Sequence, residues 1–252
     1  MLASLVIAFS TYSRIPMPQV EWSEKNMKYA ICFFPLVGAA IGGVFLGWAL
    51  LCRALGLNAL LRAAGLTAIP LLLSGGIHMD GFCDTVDALS SHQSRERKLE
   101  ILKDPHAGAF AAVFCGVWLL LCFAALTQPE DLRSFLVLAP GFVLSRAMSG
   151  LALANLKGAR SSGMLQAFAD SAHKSAVTWT MLLYIALSAL GMLLLSPLSG
   201  GAALLAAAAC LLYYRVMSYR QFGGITGDLA GYFLQLCELA MALAVALTWR
   251  YV

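Results

Sequence analysis

Seven apolar runs, each close to the length of a bilayer crossing, recur along the chain at roughly 28–52, 57–76, 107–127, 134–155, 177–196, 200–217 and 229–249. Hydrocarbon offers no water to backbone N–H and C=O groups, so a segment that crosses it must satisfy them internally, as a helix does. The expected fold is therefore all-α. It is a polytopic integral membrane bundle of about seven transmembrane helices, forming a single catalytic domain over residues 1–252. Composition agrees: only 12% of residues are charged, against about a quarter in soluble domains, and the mean hydropathy is +0.79. Met1 to Ser10 is apolar but too short to span. It lacks the basic region and small-residue cleavage site of a signal peptide, and is expected at the interface or packed on the bundle.

Charge asymmetry gives the orientation. With the N-terminus in the cytoplasm, the inner segments carry twelve basic residues, among them Arg14, Lys25, Arg95, Arg97, Lys98, Lys103, Lys157, Arg160 and Arg220. The outer segments carry Arg53, Arg62, Arg133 and Arg250, and Arg146 inside a span completes the 17. That bias predicts a cytoplasmic N-terminus; the expected location is a bacterial inner membrane, crossed several times. Nearly all the acidic residues fall on the same inner side. Six of the seven cysteines lie in apolar runs and no Cys-x-x-Cys occurs, so neither a disulfide framework nor a zinc site is expected.

The richest chemistry lies in Gly75-Gly76-Ile77-His78-Met79-Asp80-Gly81-Phe82-Cys83-Asp84-Thr85-Val86-Asp87. Asp80, Asp84 and Asp87 stand at i, i+4 and i+7, which places them on one helical face. Three like charges so close repel unless a cation sits between them. Hard oxygen ligands suit Mg²⁺ or Mn²⁺. A cluster of acids beside a membrane is more often functional than decorative.

Other polar pieces sit on the predicted cytoplasmic side. Arg95 to Gly108 includes Arg97, Lys98, Lys103 and Asp104. Its basic residues suit phosphate oxygens, although the positive-inside bias alone would place such residues there. Arg160 lies in a small-residue loop, Ala159 to Met164. Gly223-Gly224-Ile225-Thr226-Gly227-Asp228 leads into the last span, where Asp228 is a helix cap or a further metal ligand. Within the spans, Arg146 needs a partner, an aqueous cavity or a route to the surface. Glu238 is protonated, paired or facing the site. Gly38, Gly42 and Gly43 permit tight helix packing, including a homo-oligomer.

In this order the pieces resemble the cobalamin synthase family, adenosylcobinamide-GDP ribazoletransferases of the membrane. The resemblance rests on Ser13 to Pro18, the His-x-Asp-Gly-x-x-Asp-x-x-Asp core from His78 to Asp87, Arg95 to Gly108, Ala159-Arg160, and Gly224 to Glu238. Departures are Ala88 for a usual Gly, His106 for a common Arg, Ser161 for a frequent Pro and Gln235 for a frequent Glu. None touches the three aspartates.

The resemblance implies phosphotransfer: adenosylcobinamide-GDP and α-ribazole, or its 5′-phosphate, join to give adenosylcobalamin or its phosphate and GMP. It implies Mg²⁺ held by Asp80, Asp84, Asp87 and Asp228. His78, Asp84 and Asp87 are the implied catalytic residues, and Arg14, Lys103, Asp104, Arg160 and Glu238 the substrate contacts. The partners are these small molecules and the lipid bilayer, not nucleic acid. Two rival readings are a CDP-alcohol-type phosphotransferase and an ion-coupled transporter. The first expects Ala-Arg after the first Asp-Gly and a fourth Asp further on, whereas here Cys83-Asp84 follows Gly81-Phe82 and His78 precedes. The second expects charges near the midplane, whereas these acids cluster at one face.

Overall fold

A computed structural model describes residues 1–160 and 163–251; Ser161, one of the departures above, lies outside them. Among the described residues the regular structure is helical, apart from one isolated parallel bridge between Gly158 and Ile225. The helices are α1 (Leu2–Tyr12), α2 (Glu24–Met27), α3 (Phe34–Ala54), α4 (Ala59–Ser74), α5 (Ile77–Ser90) and α6 (Arg95–Ile101). They continue with α7 (Ala109–Thr127), α8 (Leu132–Asn155), α9 (Met164–Ser171), α10 (Lys174–Leu195), α11 (Pro197–Phe222) and α12 (Gly227–Thr248).

The expected spans map onto α3, α4, α7, α8, α10, α11 and α12. Six of these are long and apolar enough to cross a membrane alone. The exception is α4, whose 16 residues reach only about 24 Å. It passes only together with α5, from which it is bent by 92°. Beyond that bend, α5 packs on α12 and α7. The expected span 200–217 proves to be part of the longest described helix, with 26 residues.

The bundle is organised around α8, which packs between α3, α10 and α12. Its most apolar window is 78% buried, against 22% for α10, so α8 is the core helix and α10 a lipid-facing one. Small residues make the closest crossing possible. A Cβ on Gly38 would strike the Phe142 carbonyl, and one on Gly42 would lie 2.7 Å from the Ala139 carbonyl oxygen. These two glycines are therefore used inside the chain, between α3 and α8, while Gly43 faces open space. The N-terminal helix α1 packs on the bundle, burying Val6, Ile7 and Ala8.

The loops sort to two ends. At one end Arg62 reaches the Pro129 carbonyl (2.7 Å), Arg133 reaches the Leu195 carbonyl, and Thr248 bonds Ser199 (2.9 Å). At the other, α5, α6, the 156–160 segment and the 223–227 turn come together. Lys98 of α6, itself buried, donates to Gln221 Oε1 of α11 at 2.5 Å. Arg160 Nη2 donates to the Leu99 carbonyl at 2.7 Å.

Candidate active site

The site begins with a turn that only glycine makes cheaply. Gly75 and Gly76 both adopt left-handed backbone, with φ of 67° and 79°, a region costly for residues with a Cβ. Together they end α4 and start α5 at the sharp bend. Arg14 lies against this turn: its side chain occupies the space a Gly75 Cβ would need, and its backbone N–H donates to the Leu73 carbonyl at 2.7 Å.

Two more glycines press α5 onto α12. A Cβ on Gly81 would lie 2.7 Å from the Asp228 carbonyl oxygen, and one on Gly231 would lie 2.9 Å from that of His78. Phe82 and Tyr232 stack beside this crossing, with ring centroids 5.4 Å apart. The close approach sets Asp80 and Asp84, one turn apart on α5, beside Asp228 at the start of α12. Thr226 caps that helix, accepting from the Leu229 N–H at 3.2 Å.

Electrostatics register the crowding. Burial, then the charges of Asp80 and Asp228, push the Asp84 carboxyl up to about 7 from an ordinary 3.8. Thr226 Oγ1 lies 3.4 Å from Asp228 Oδ2. Arg160 Nη1 lies 3.7 Å from Asp228 Oδ2, and its Nε is buried without a hydrogen-bond partner. Like charges that hold on to a proton for want of a counter-ion are a donor set suited in charge and type to a hard divalent cation. Among the described residues, no three His, Cys, Asp or Glu side chains converge closely enough to ligate one ion as they stand.

Asp87 is placed differently from its neighbours. Both its oxygens accept backbone bonds at the start of α7: Oδ2 from the Gly108 N–H at 2.6 Å and Oδ1 from the Ala111 N–H at 2.9 Å. These are donors a helix start leaves unsatisfied, so Asp87 ties α5 to α7. Asp104 is engaged locally. Its Oδ1 accepts from the His106 backbone N–H (3.0 Å) and meets the His106 ring (2.8 Å), and those bonds hold its carboxyl below the usual range. Lys103 is exposed on the same loop. Glu238 is not brought to the cluster. It lies ten residues into α12, about 15 Å along the axis, paired with Arg146 Nη1 at 2.8 Å and Ser145 Oγ at 2.9 Å. Each is the other's answer to the charge problem that the sequence posed.

His78 is 5% exposed, and its Nε2 has no hydrogen-bond partner. Burial, then the charge of Arg146, lowers its basicity well below the ordinary range. With Tyr12 and Phe34, whose ring centroids lie 6.2 and 5.9 Å away, it forms an aromatic wall. That wall lines a cavity of about 240 Å³ whose polar edge is Asp80 and Asp228. A second, more polar cavity of about 120 Å³ adjoins it across Gly227 and Asp228 and is bordered by Arg160 and Thr226. Sequence reasoning found His78 and the carboxylates. It missed Tyr12, Phe34 and Ser149 of the larger cavity: Phe34 and Ser149 sit in ordinary apolar runs, and Tyr12 lies just ahead of the Ser13–Pro18 piece without a motif of its own.

The chain matches the family model described as cobalamin-5-phosphate synthase over residues 4–246. It is 52% identical over 246 residues to the adenosylcobinamide-GDP ribazoletransferase of Lachnoclostridium phytofermentans, covering 98% of this chain and 94% of that one. Proteins of the same description from Pseudomonas fluorescens SBW25 and Pseudomonas savastanoi pv. phaseolicola are 37% and 38% identical, with 93% of each chain covered. No solved structure was found to match.

Proposed function

The chain belongs to the cobalamin-5-phosphate synthase family, and from that membership we propose how its site works as a membrane adenosylcobinamide-GDP ribazoletransferase. A hydroxyl oxygen of α-ribazole, or of its 5′-phosphate, attacks the phosphorus attached to the cobinamide. A new P–O bond forms to the ribazole, the bond to GMP breaks, and GMP leaves with the bridging oxygen. The hydroxyl's proton goes to the enzyme.

Asp80, Asp84 and Asp228 would hold Mg²⁺, with Asp87 bracing the helix that carries two of them. When bound there, the ion supplies charge to offset the negative charge that develops on the transferring phosphoryl oxygens. Arg160, with one guanidinium nitrogen unpartnered beside Asp228, holds pyrophosphate oxygens of the donor. Arg14 borders the same end of α5, and Lys103 stands on the exposed loop where it can meet an entering anionic substrate. His78 Nε2 is the proton acceptor: it lines the cavity beside Asp80 and lacks any other partner. As a neutral imidazole it offers a lone pair to the hydroxyl and takes up its proton. The site faces the cytoplasm, where nucleotides are available.

The observation that carries this reading is the junction of Asp80, Asp84 and Asp228 across the Gly81–Gly231 crossing. The test is GMP release by purified enzyme given adenosylcobinamide-GDP and α-ribazole, with and without Mg²⁺. Wild type should release GMP only with the metal, and Asp84→Asn should lose about a hundredfold or more of the rate. Near-normal turnover by Asp84→Asn rejects its role.

A further inference from the structure

We propose that the larger cavity, walled by Tyr12, Phe34 and His78, is the seat of the acceptor's heteroaromatic base; the assignment rests on the transferase reading above. The argument starts from what the cavity offers. Its wall is aromatic on one side and aliphatic on the other, where Ile31, Leu153 and Leu234 face it. Its charged groups are Asp80 of α5 and Asp228 at the start of α12, and its other polar side chains are those of Tyr12, His78 and Ser149. Deep in the α8 wall the hydroxyl-bearing residue is Ser149.

A flat base of benzimidazole type fits that distribution. Its outer ring is hydrocarbon, suited to aliphatic and aromatic contact. Once joined to ribose it keeps a single free ring nitrogen, which one hydroxyl can satisfy. Guanine, the base of the donor, fits poorly. Its carbonyl, amino and ring N–H groups would lie against Ile31, Phe34 and Leu153 with too few partners, and buried polar groups without partners are costly. A corrin ring is far too large for about 240 Å³.

The arrangement of the two cavities supports the same assignment. They meet along Gly227 and Asp228. The smaller one, bordered by Arg160 and Thr226, suits the donor's phosphates. The larger one then holds the acceptor on the opposite side of the carboxylates. A base seated against the aromatic wall leaves its ribose at the polar edge, where a hydroxyl reaches the phosphorus between Asp80 and Asp228. Attack from one cavity and departure of GMP toward the other is the disposition an in-line displacement requires.

The test uses full-length protein in lipid nanodiscs. Binding of α-ribazole and of adenosylcobinamide-GDP is measured separately by calorimetry, alongside GMP release. Ser149→Leu fills the cavity from α8. Leu153→Phe does so one turn later and serves if the first variant does not give a monodisperse protein. Either should weaken α-ribazole binding, and raise its KM, by about tenfold or more, while the values for adenosylcobinamide-GDP stay within about twofold. Weakened donor binding with unchanged α-ribazole binding would place guanine in the cavity and overturn the proposal. Unchanged binding of both would overturn it too. Wild type that binds neither α-ribazole nor its 5′-phosphate and releases no GMP with either would sink the transferase reading itself, and the inference with it.

Discussion

Asp84 and Asp87 stand three positions apart on one helix and do different work. Asp84 faces like charges, and its carboxyl is pushed up to about 7. A carboxyl whose folded pKa exceeds its unfolded value adds stability that is fully present below the unfolded value. That contribution is lost as pH rises through the folded one. With divalent cations chelated, Asp84 therefore contributes a loss of thermal stability between about pH 4 and about pH 7. Melting curves of detergent-solubilised protein should show this fall, and Asp84→Asn should flatten it. Equal slopes in the two proteins would reject the repulsion. Asp87 instead accepts two backbone N–H groups of α7. Asp87→Ala leaves both unsatisfied and should cost about 1–3 kcal/mol. Asp87→Asn keeps an acceptor and should cost less. A metal-dependent loss of binding in Asp87→Asn, with unchanged stability, would show that Asp87 is a ligand rather than a brace.

The elements meet through glycines. The α5–α12 crossing tolerates no side chain at Gly81, where a Cβ would lie 2.7 Å from the Asp228 carbonyl oxygen. Backbone cannot move aside as a flexible side chain can. Gly81→Ala should therefore separate Asp80 and Asp84 from Asp228. The expected result is at least about a tenfold loss of kcat, because misplacement of catalytic groups by about 1 Å is costly. Gly43, which faces open space, is the matched control, and Gly43→Ala should leave the rate unchanged. Activity retained in Gly81→Ala would mean that the crossing does not set the site.

At the scale of the whole molecule, a buried ion pair joins α8 to α12. Arg146 and Glu238 are 1% and 10% exposed at their side chains. Removing either alone leaves a buried charge and should cost about 3–5 kcal/mol. Replacing both with Met and Leu should recover much of that. If Arg146→Met melts like wild type, the pair is not what holds these helices. Orientation is a separate matter. The positive-inside bias puts the 91–103 segment in the cytoplasm. A cysteine introduced at exposed Gln93, in a background freed of accessible thiols, should resist membrane-impermeant label in intact cells and react after lysis. Labelling in intact cells would invert the topology.

The sequence by itself determined that the chain is a helical membrane bundle, because apolar runs of bilayer length leave the backbone no other way to satisfy its hydrogen bonds. It also determined that the chemistry gathers at one end, because charge is excluded from the spans and the loops alternate. The i, i+4 spacing put Asp80 and Asp84 on one face before any tertiary contact was known. Only the tertiary structure decided which carboxylates meet. Asp228 joins them through a crossing of two glycines far apart in the chain. Asp87 turns to a helix start, and Glu238 is taken by Arg146. The cavity beside His78 was equally illegible, since Phe34 and Ser149 look like any residues of an apolar run and Tyr12 belongs to no motif. Local periodicity fixes which face a side chain occupies. What lies opposite that face is set by packing between distant segments, which no local pattern records.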